Sequence, residues 1–174
     1  MAERLSLKDY QRGLAERLRE AGAGRMASKL GLQLGSETWL VDLGDAGEVI
    51  PVPAVTPVPL TQAWFKGVAN VRGNLYSVID FPAFLGVGAV TVGEQSRLLL
   101  LGERFRTSAA LLIDRSLGLR NPEQLTPRAS VEDASAGERP AWLRAEFGDA
   151  DGKSWKELDV PQLVRHAEFL SVSA

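Results

Sequence analysis

The sequence predicts a mainly β protein, and three observations carry the prediction. Its apolar runs are short, and about eight or nine of them recur at regular spacing. Turn-forming residues separate them, with 17 glycines and 9 prolines in 174 residues. Helical periodicity is confined to the two ends of the chain. That pattern belongs to barrels or sandwiches rather than to alternating βαβ units.

The elements follow in order. Residues 6–21 read as an amphipathic helix: Ser6 caps it, Asp9 stands in the capping-box place, and Leu7, Tyr10, Leu14 and Leu18 share one face. Gly22 and Gly24 stop it. Such a helix either packs on its own domain or docks on another protein. We treat residues 1–25 as an N-terminal extension and residues 26–174 as one domain of two β lobes.

Strands are expected over Lys29 to Leu34 and Thr38 to Leu43, around a turn at Gly35-Ser36-Glu37. Asp45 to Ile50 reads as one helical turn. Pro51, Pro53, Pro57 and Pro59 then force an extended, poorly hydrogen-bonded connector. It is either packed on the fold or a ligand for a proline-recognising module. Val68 to Val71 leads through a tight turn at Arg72-Gly73-Asn74 into a strand from Leu75 to Phe81.

Pro82 to Gly86 reads as a short helical turn, and residues 87–95 as a flexible loop. Ser96 to Leu101 and Thr107 to Arg115 are strands buried on both faces, joined by a bend at Glu103–Arg106. A turn at 121–125 and a polar loop at 129–140 follow. Trp142 to Phe147 and Lys153 to Leu158 flank Asp149-Ala150-Asp151-Gly152, a hairpin composition. Asp159 caps a final helix running from Val160 to Phe169.

Composition excludes several function classes. The apolar and charged fractions, 45% and 24%, are those of an ordinary globular protein. A net charge of −2 argues against a nucleic-acid binder. With no cysteine, disulfides, thiolate nucleophiles and thiolate-held metals are excluded. There is no apolar run of the ~18 residues that a membrane span needs, which argues against direct membrane insertion. The N-terminus is too charged for a secretory signal, so a cytoplasmic location is expected.

No catalytic constellation emerges. His166 is the single histidine, flanked by Arg165 and Glu168, and has no companion ligand for a metal. Nucleophile-elbow and phosphate-loop patterns are absent. Asp149 and Asp151 resemble a piece of a calcium loop, but Leu158 stands where the pattern needs glutamate. Asp80 and Asp114 each end an apolar strand. They are either a carboxylate pair of a small enzyme or acceptors satisfied at strand ends. No cofactor is implied.

The stretch Trp64-Phe65-Lys66-Gly67-Val68-Ala69-Asn70-Val71-Arg72-Gly73-Asn74-Leu75 resembles the G-x-x-N-x-R-G segment of CheW-like chemotaxis coupling domains. The resemblance extends through Gly47-Glu48-Val49-Ile50, Pro57-Val58-Pro59, Ser77 to Phe81, Phe84-Leu85-Gly86, Ala110 to Asp114 and Leu158 to Leu163. It covers roughly residues 28–170. The N-terminal helix, Trp64-Phe65 and the tandem leucines are similar to the subset attached to type IV pilus twitching-motility systems, the PilI-like adaptors.

The resemblance implies two packed five-stranded SH3-like barrels, matched here to residues 29–43 with 68–81 and 97–117 with 142–158. It implies a non-catalytic adaptor joining the cytoplasmic tip of a methyl-accepting chemoreceptor to the regulatory domain of a CheA-like histidine kinase, at receptor arrays near the inner membrane. A regulatory subunit acting through the N-terminal helix is the other binding-protein reading. Arg72 matches the family's partner-contacting arginine, unless it braces Asp80 or Glu48. Asn70 and Gly73 hold its turn, and Glu48 beside exposed Val49 and Ile50 matches a partner-facing edge.

Overall fold

The computed structural model describes residues 28–128 and 140–174. The expected helix at 6–21 and the polar loop at 129–139 lie outside them.

The strands are β1 (Lys29–Leu34), β2 (Glu37–Asp42), β3 (Ala46–Pro51), β4 (Val55–Thr56), β5 (Phe65–Val71) and β6 (Asn74–Asp80), followed by β7 (Arg97–Leu101), β8 (Ala109–Ile113), β9 (Arg115–Arg120), β10 (Thr126–Pro127), β11 (Leu143–Gly148) and β12 (Ser154–Leu158). Three short helices join them: α1 (Phe81–Leu85), α2 (Val160–Leu163) and α3 (Ala167–Leu170). The architecture is mainly β, as expected, and consists of two six-stranded sheets. One has the order β10-β11-β12-β2-β1-β9 and the other β3-β7-β8-β6-β5-β4.

Period-two alternation explains why both sheets are apolar throughout. On β7, Leu99 and Leu101 enter a core shared by the sheets, whereas Leu98 and Leu100 enter a second cluster with Val78 and Leu112. On β8, Leu111 and Ile113 take the shared side and Ala110 and Leu112 the other. From the first sheet, Leu30, Leu32, Leu34, Trp39 and Val41 complete the shared core. Leu40 turns instead toward Trp155 and Leu125. Each such leucine contributes about 1.5–3 kcal/mol.

Several expectations are corrected. The strand groups exchange partners: 29–42 joins 143–158 in one sheet, and 65–80 joins 97–113 in the other. Two parallel pairings cause this, β6 with β8 and β2 with β12. Parallel neighbours need a crossover, so adjacency in sequence does not reveal them. Asp45 to Ile50 is not a helical turn. From Ala46 it forms β3, because pairing with β7 gives its backbone groups partners and suits Val49 and Ile50.

The proline connector supplies β4, paired with Val68 and Ala69. The 87–95 loop is tied down, since Val90 is buried and its N–H reaches the Asp80 carboxylate at 3.2 Å. β9 and β10 carried no clear sequence signal. The final helix divides into α2 and α3, with His166 extended between them (φ −72°, ψ 134°). Leu163 and Phe169, both buried, would point about 120° apart on one continuous helix. The break lets both reach the core.

A charged network clasps the C-terminal strands to the N-terminal hairpin. Lys29 Nζ donates to Asp42 at 2.9 Å and to Glu157 at 2.7 Å. Arg144 donates to Asp42 at 2.8 Å and to Asp159 at 3.1 Å, while Asp159 caps α2 through the Gln162 N–H.

Candidate functional site

The Arg72 turn sits at the tip of the β5–β6 hairpin, whose register closes at Val71↔Asn74. Arg72 and Gly73 occupy the turn with φ of 52° and 87°. Positive φ is unfavourable for arginine and free for glycine. Asn70 offsets this strain, its Oδ1 accepting the Gly73 N–H at 2.9 Å. The expected turn-holding geometry of Asn70 and Gly73 is therefore present.

Gly67 has a different reason. Its φ is 127°, and a Cβ there would fall 2.0 Å from the Thr56 carbonyl oxygen, so β4 lies against β5 only because no side chain intervenes.

The Arg72 guanidinium faces Glu48 on β3 in a two-bond fork, Nη1 to Oε2 at 2.8 Å and Nη2 to Oε1 at 2.7 Å. β3 stands at one end of its sheet order and the hairpin near the other, so the pair reaches across between them. Hydrogen bonds and charge from Glu48 push the arginine pKa up. Both side chains remain solvent-accessible, at 72% and 42%. An exposed pair of this kind contributes little stability, about 0–1 kcal/mol.

Beside it lies a groove of about 340 Å³, lined by Glu48, Val71, Arg72, Tyr76, Leu100 and Glu103 among others. It combines an apolar floor with one cation and two carboxylates at the rim. Sequence reasoning named Arg72 and Glu48 but missed Tyr76, Leu100 and Glu103. The alternation of Tyr76 with Val78 and Asp80 was the available signal for the first. Val49 and Ile50 are corrected: neither is exposed, and they pack against the shared core and the second cluster respectively.

Asp80 does not brace Arg72. It is fully buried, caps α1 through the Ala83 N–H, accepts from Val90 N–H, and pairs with Lys66 at 3.2 Å. Asp114 accepts the Gly35 N–H at 2.7 Å. The two carboxylates thus serve different partners, as strand-end acceptors do. His166 lies edge-on to Trp142, with ring centroids 4.4 Å apart. Among the described residues, no group of three or more His, Cys, Asp or Glu side chains is arranged to hold a metal ion. No helix there is long and apolar enough to cross a membrane.

This hairpin and its surrounding sheets match a known family model, the CheW-like domain, over residues 29–168. The chain belongs to the CheW-like domain family. Among related sequences, protein PilI of Pseudomonas aeruginosa is 32% identical over 146 residues, covering 84% of this chain and 80% of that protein. Chemotaxis protein CheW of Thermotoga maritima is 24% identical over 137 residues, covering 78% and 85%. The fold of this CheW-like chain is shared with the crystal structure of scaffolding protein TtCheW from Thermoanaerobacter tengcongensis. That likeness has a TM-score of 0.61 at 21% identity and covers 77% of this chain and 89% of that one.

Proposed function

We propose that this CheW-like chain is a non-catalytic adaptor coupling a methyl-accepting chemoreceptor to a CheA-like histidine kinase in a system controlling type IV pilus twitching motility. The observation that carries the reading is the similarity to PilI across most of both chains. It is supported by an accessible arginine at a rigid hairpin tip. Asn70 holds the turn, Glu48 aligns the guanidinium, and a groove with an apolar floor lies alongside. Val49 and Ile50 act from beneath this surface by fixing the β3 backbone that carries Glu48.

The adaptor works by binding. A guanidinium is suited to a carboxylate or carbonyl on a partner helix. By holding receptor and kinase in one geometry, the adaptor shifts the kinase between states according to its differential affinity for them. It works in the cytoplasm at receptor arrays, with residues 26–174 as its domain and residues 1–25 as an extension. No observation favours the enzyme reading, since Asp80 and Asp114 are each engaged elsewhere.

Pull-down of the full chain against a chemoreceptor tip and a CheA-type regulatory domain tests this. Both are expected to be captured, and Arg72→Ala is expected to weaken capture without changing the melting curve. Capture of neither partner by the wild-type chain would overturn the reading.

A further inference from the structure

A second groove of about 300 Å³ shares no lining residue with the one beside Arg72. It is lined by Gln62, Trp64, Phe84, Glu168 and Ser171, so it forms where α1 and the approach to β5 meet α3. Where the Arg72 groove mixes one cation with two carboxylates, this one has two aromatic side chains and a single carboxylate.

The rings are held before anything binds. Phe84 meets Trp64 edge-to-face at 5.2 Å, and Phe81, Trp142 and Phe169 pack around it at 6.1, 5.4 and 5.6 Å. Trp64 and Phe84 are only half-buried, so part of each ring reaches a groove whose surface is mostly polar. Gln62 is fixed as well: its Nε2 donates to the Ser173 carbonyl at 2.8 Å, which commits the amide's donor end to the C-terminus.

Glu168 supplies the charge. Its side chain is 73% exposed, and its one ionic contact among the described residues is His166 Nδ1 at 3.9 Å. That contact is attractive only when the histidine is protonated. The groove therefore offers some aromatic surface, a carboxylate and a hydroxyl, and among the described residues no cation lines it. Aromatic faces attract ammonium and guanidinium groups, and a carboxylate completes the pairing. A purely apolar ligand would leave Glu168 unused, and an anion would be repelled by it. The volume is at the low end of small-molecule pockets, suited to one side chain.

We propose that this groove docks an arginine or lysine side chain presented by a partner protein. It is a second contact point, opposite in charge to Arg72, and the inference does not depend on the coupling reading. The chain thus presents a guanidinium beside one groove and a single carboxylate beside the other.

The test is an amide and indole NMR titration of the full chain with N-acetyl-arginine amide, N-acetyl-lysine amide and the neutral N-acetyl-citrulline amide. The cationic probes are expected to move the Trp64 indole N–H, the Gln62 side-chain amide and the Glu168 backbone amide. Citrulline is expected to act at least fivefold more weakly. Glu168→Gln, at an exposed position that tolerates the change, is expected to lower the response at least fivefold, and the control Glu94→Gln is expected to leave it intact. No response to either cation, an equal response to citrulline, or a response retained in Glu168→Gln overturns the proposal. Neither receptor nor kinase enters the measurement, so its failure is separable from failure of the pull-down.

Discussion

Two charged sets, one on each sheet, are used in opposite ways. In the first, Lys29 and Glu157 have side chains only 12% and 5% exposed, and their contacts reach Asp42, Arg144 and Asp159 in turn. In the second, Arg72 and Glu48 make an equally short fork in near-open solvent. Geometry alone would rank these pairs together. Burial separates them, because a charge taken from water depends on its partners, whereas an exposed one falls back on solvent. The first set holds the fold, and the second adds little to it.

The largest expected effect comes from breaking the buried set. Lys29→Met leaves Glu157 and Asp42 with Arg144 as their remaining shared cation, at a cost of about 3 kcal/mol. Urea denaturation should show a fall in midpoint. An unchanged midpoint would mean that Arg144 alone satisfies both carboxylates.

Acid should act next, and its sign follows from Asp42. Burial pushes the Asp42 carboxyl up, but hydrogen bonds and charge from Lys29 and Arg144 outweigh it and hold the pKa below 3.8. Asp149, held chiefly by the Trp155 indole N–H, is lowered in the same way. Their stabilisation is present above the unfolded value near 3.8 and is lost as pH falls through the lower folded values. At the other end, burial opposes the Lys29 charge, yet Glu157 and Asp42 outweigh it and raise its pKa above 10.5. That contribution is present below 10.5 and is lost as pH rises through the folded value. Unfolding free energy measured across pH should therefore show a plateau between these limits. In Lys29→Met the acid limb should be shallower.

Smaller effects belong to the hairpin. Asn70→Ala removes the bond to Gly73 N–H and should cost about 1 kcal/mol. It should also weaken partner capture, because Arg72 loses its left-handed turn. Arg72→Ala should move stability by less than about 0.5 kcal/mol while reducing capture. If calorimetry found the two hairpin variants equally destabilised, Arg72 would be a brace and the contrast between the two charged sets would fail.

Much of this arrangement was legible beforehand. The hairpins of β1 with β2, β5 with β6 and β11 with β12 were readable because Gly, Asn and Asp in tight turns are local signals, and that of β7 with β8 from the polar bend at Glu103–Arg106 between two apolar runs. So was the cap at Asp159, and Glu48 was one of two braces named for Arg72. Illegible were β3, whose residues take their conformation from β7, and the break before α3, which serves the burial of Phe169. The Glu168 groove was also invisible, since Gln62 and Glu168 meet only through packing.

Local chemistry in the chain was enough to set the strand periodicity, the turns and the apolar faces, since each depends on residues within a few positions of one another. Tertiary structure alone decided which hairpin joins which sheet. Lys29 and Glu157 are 128 positions apart, and β2 and β12 pair in parallel over only two register positions. No turn encodes such a contact. It forms because two sheets must bury both faces at once, and the hairpin that carries Arg72 is held in place as a result.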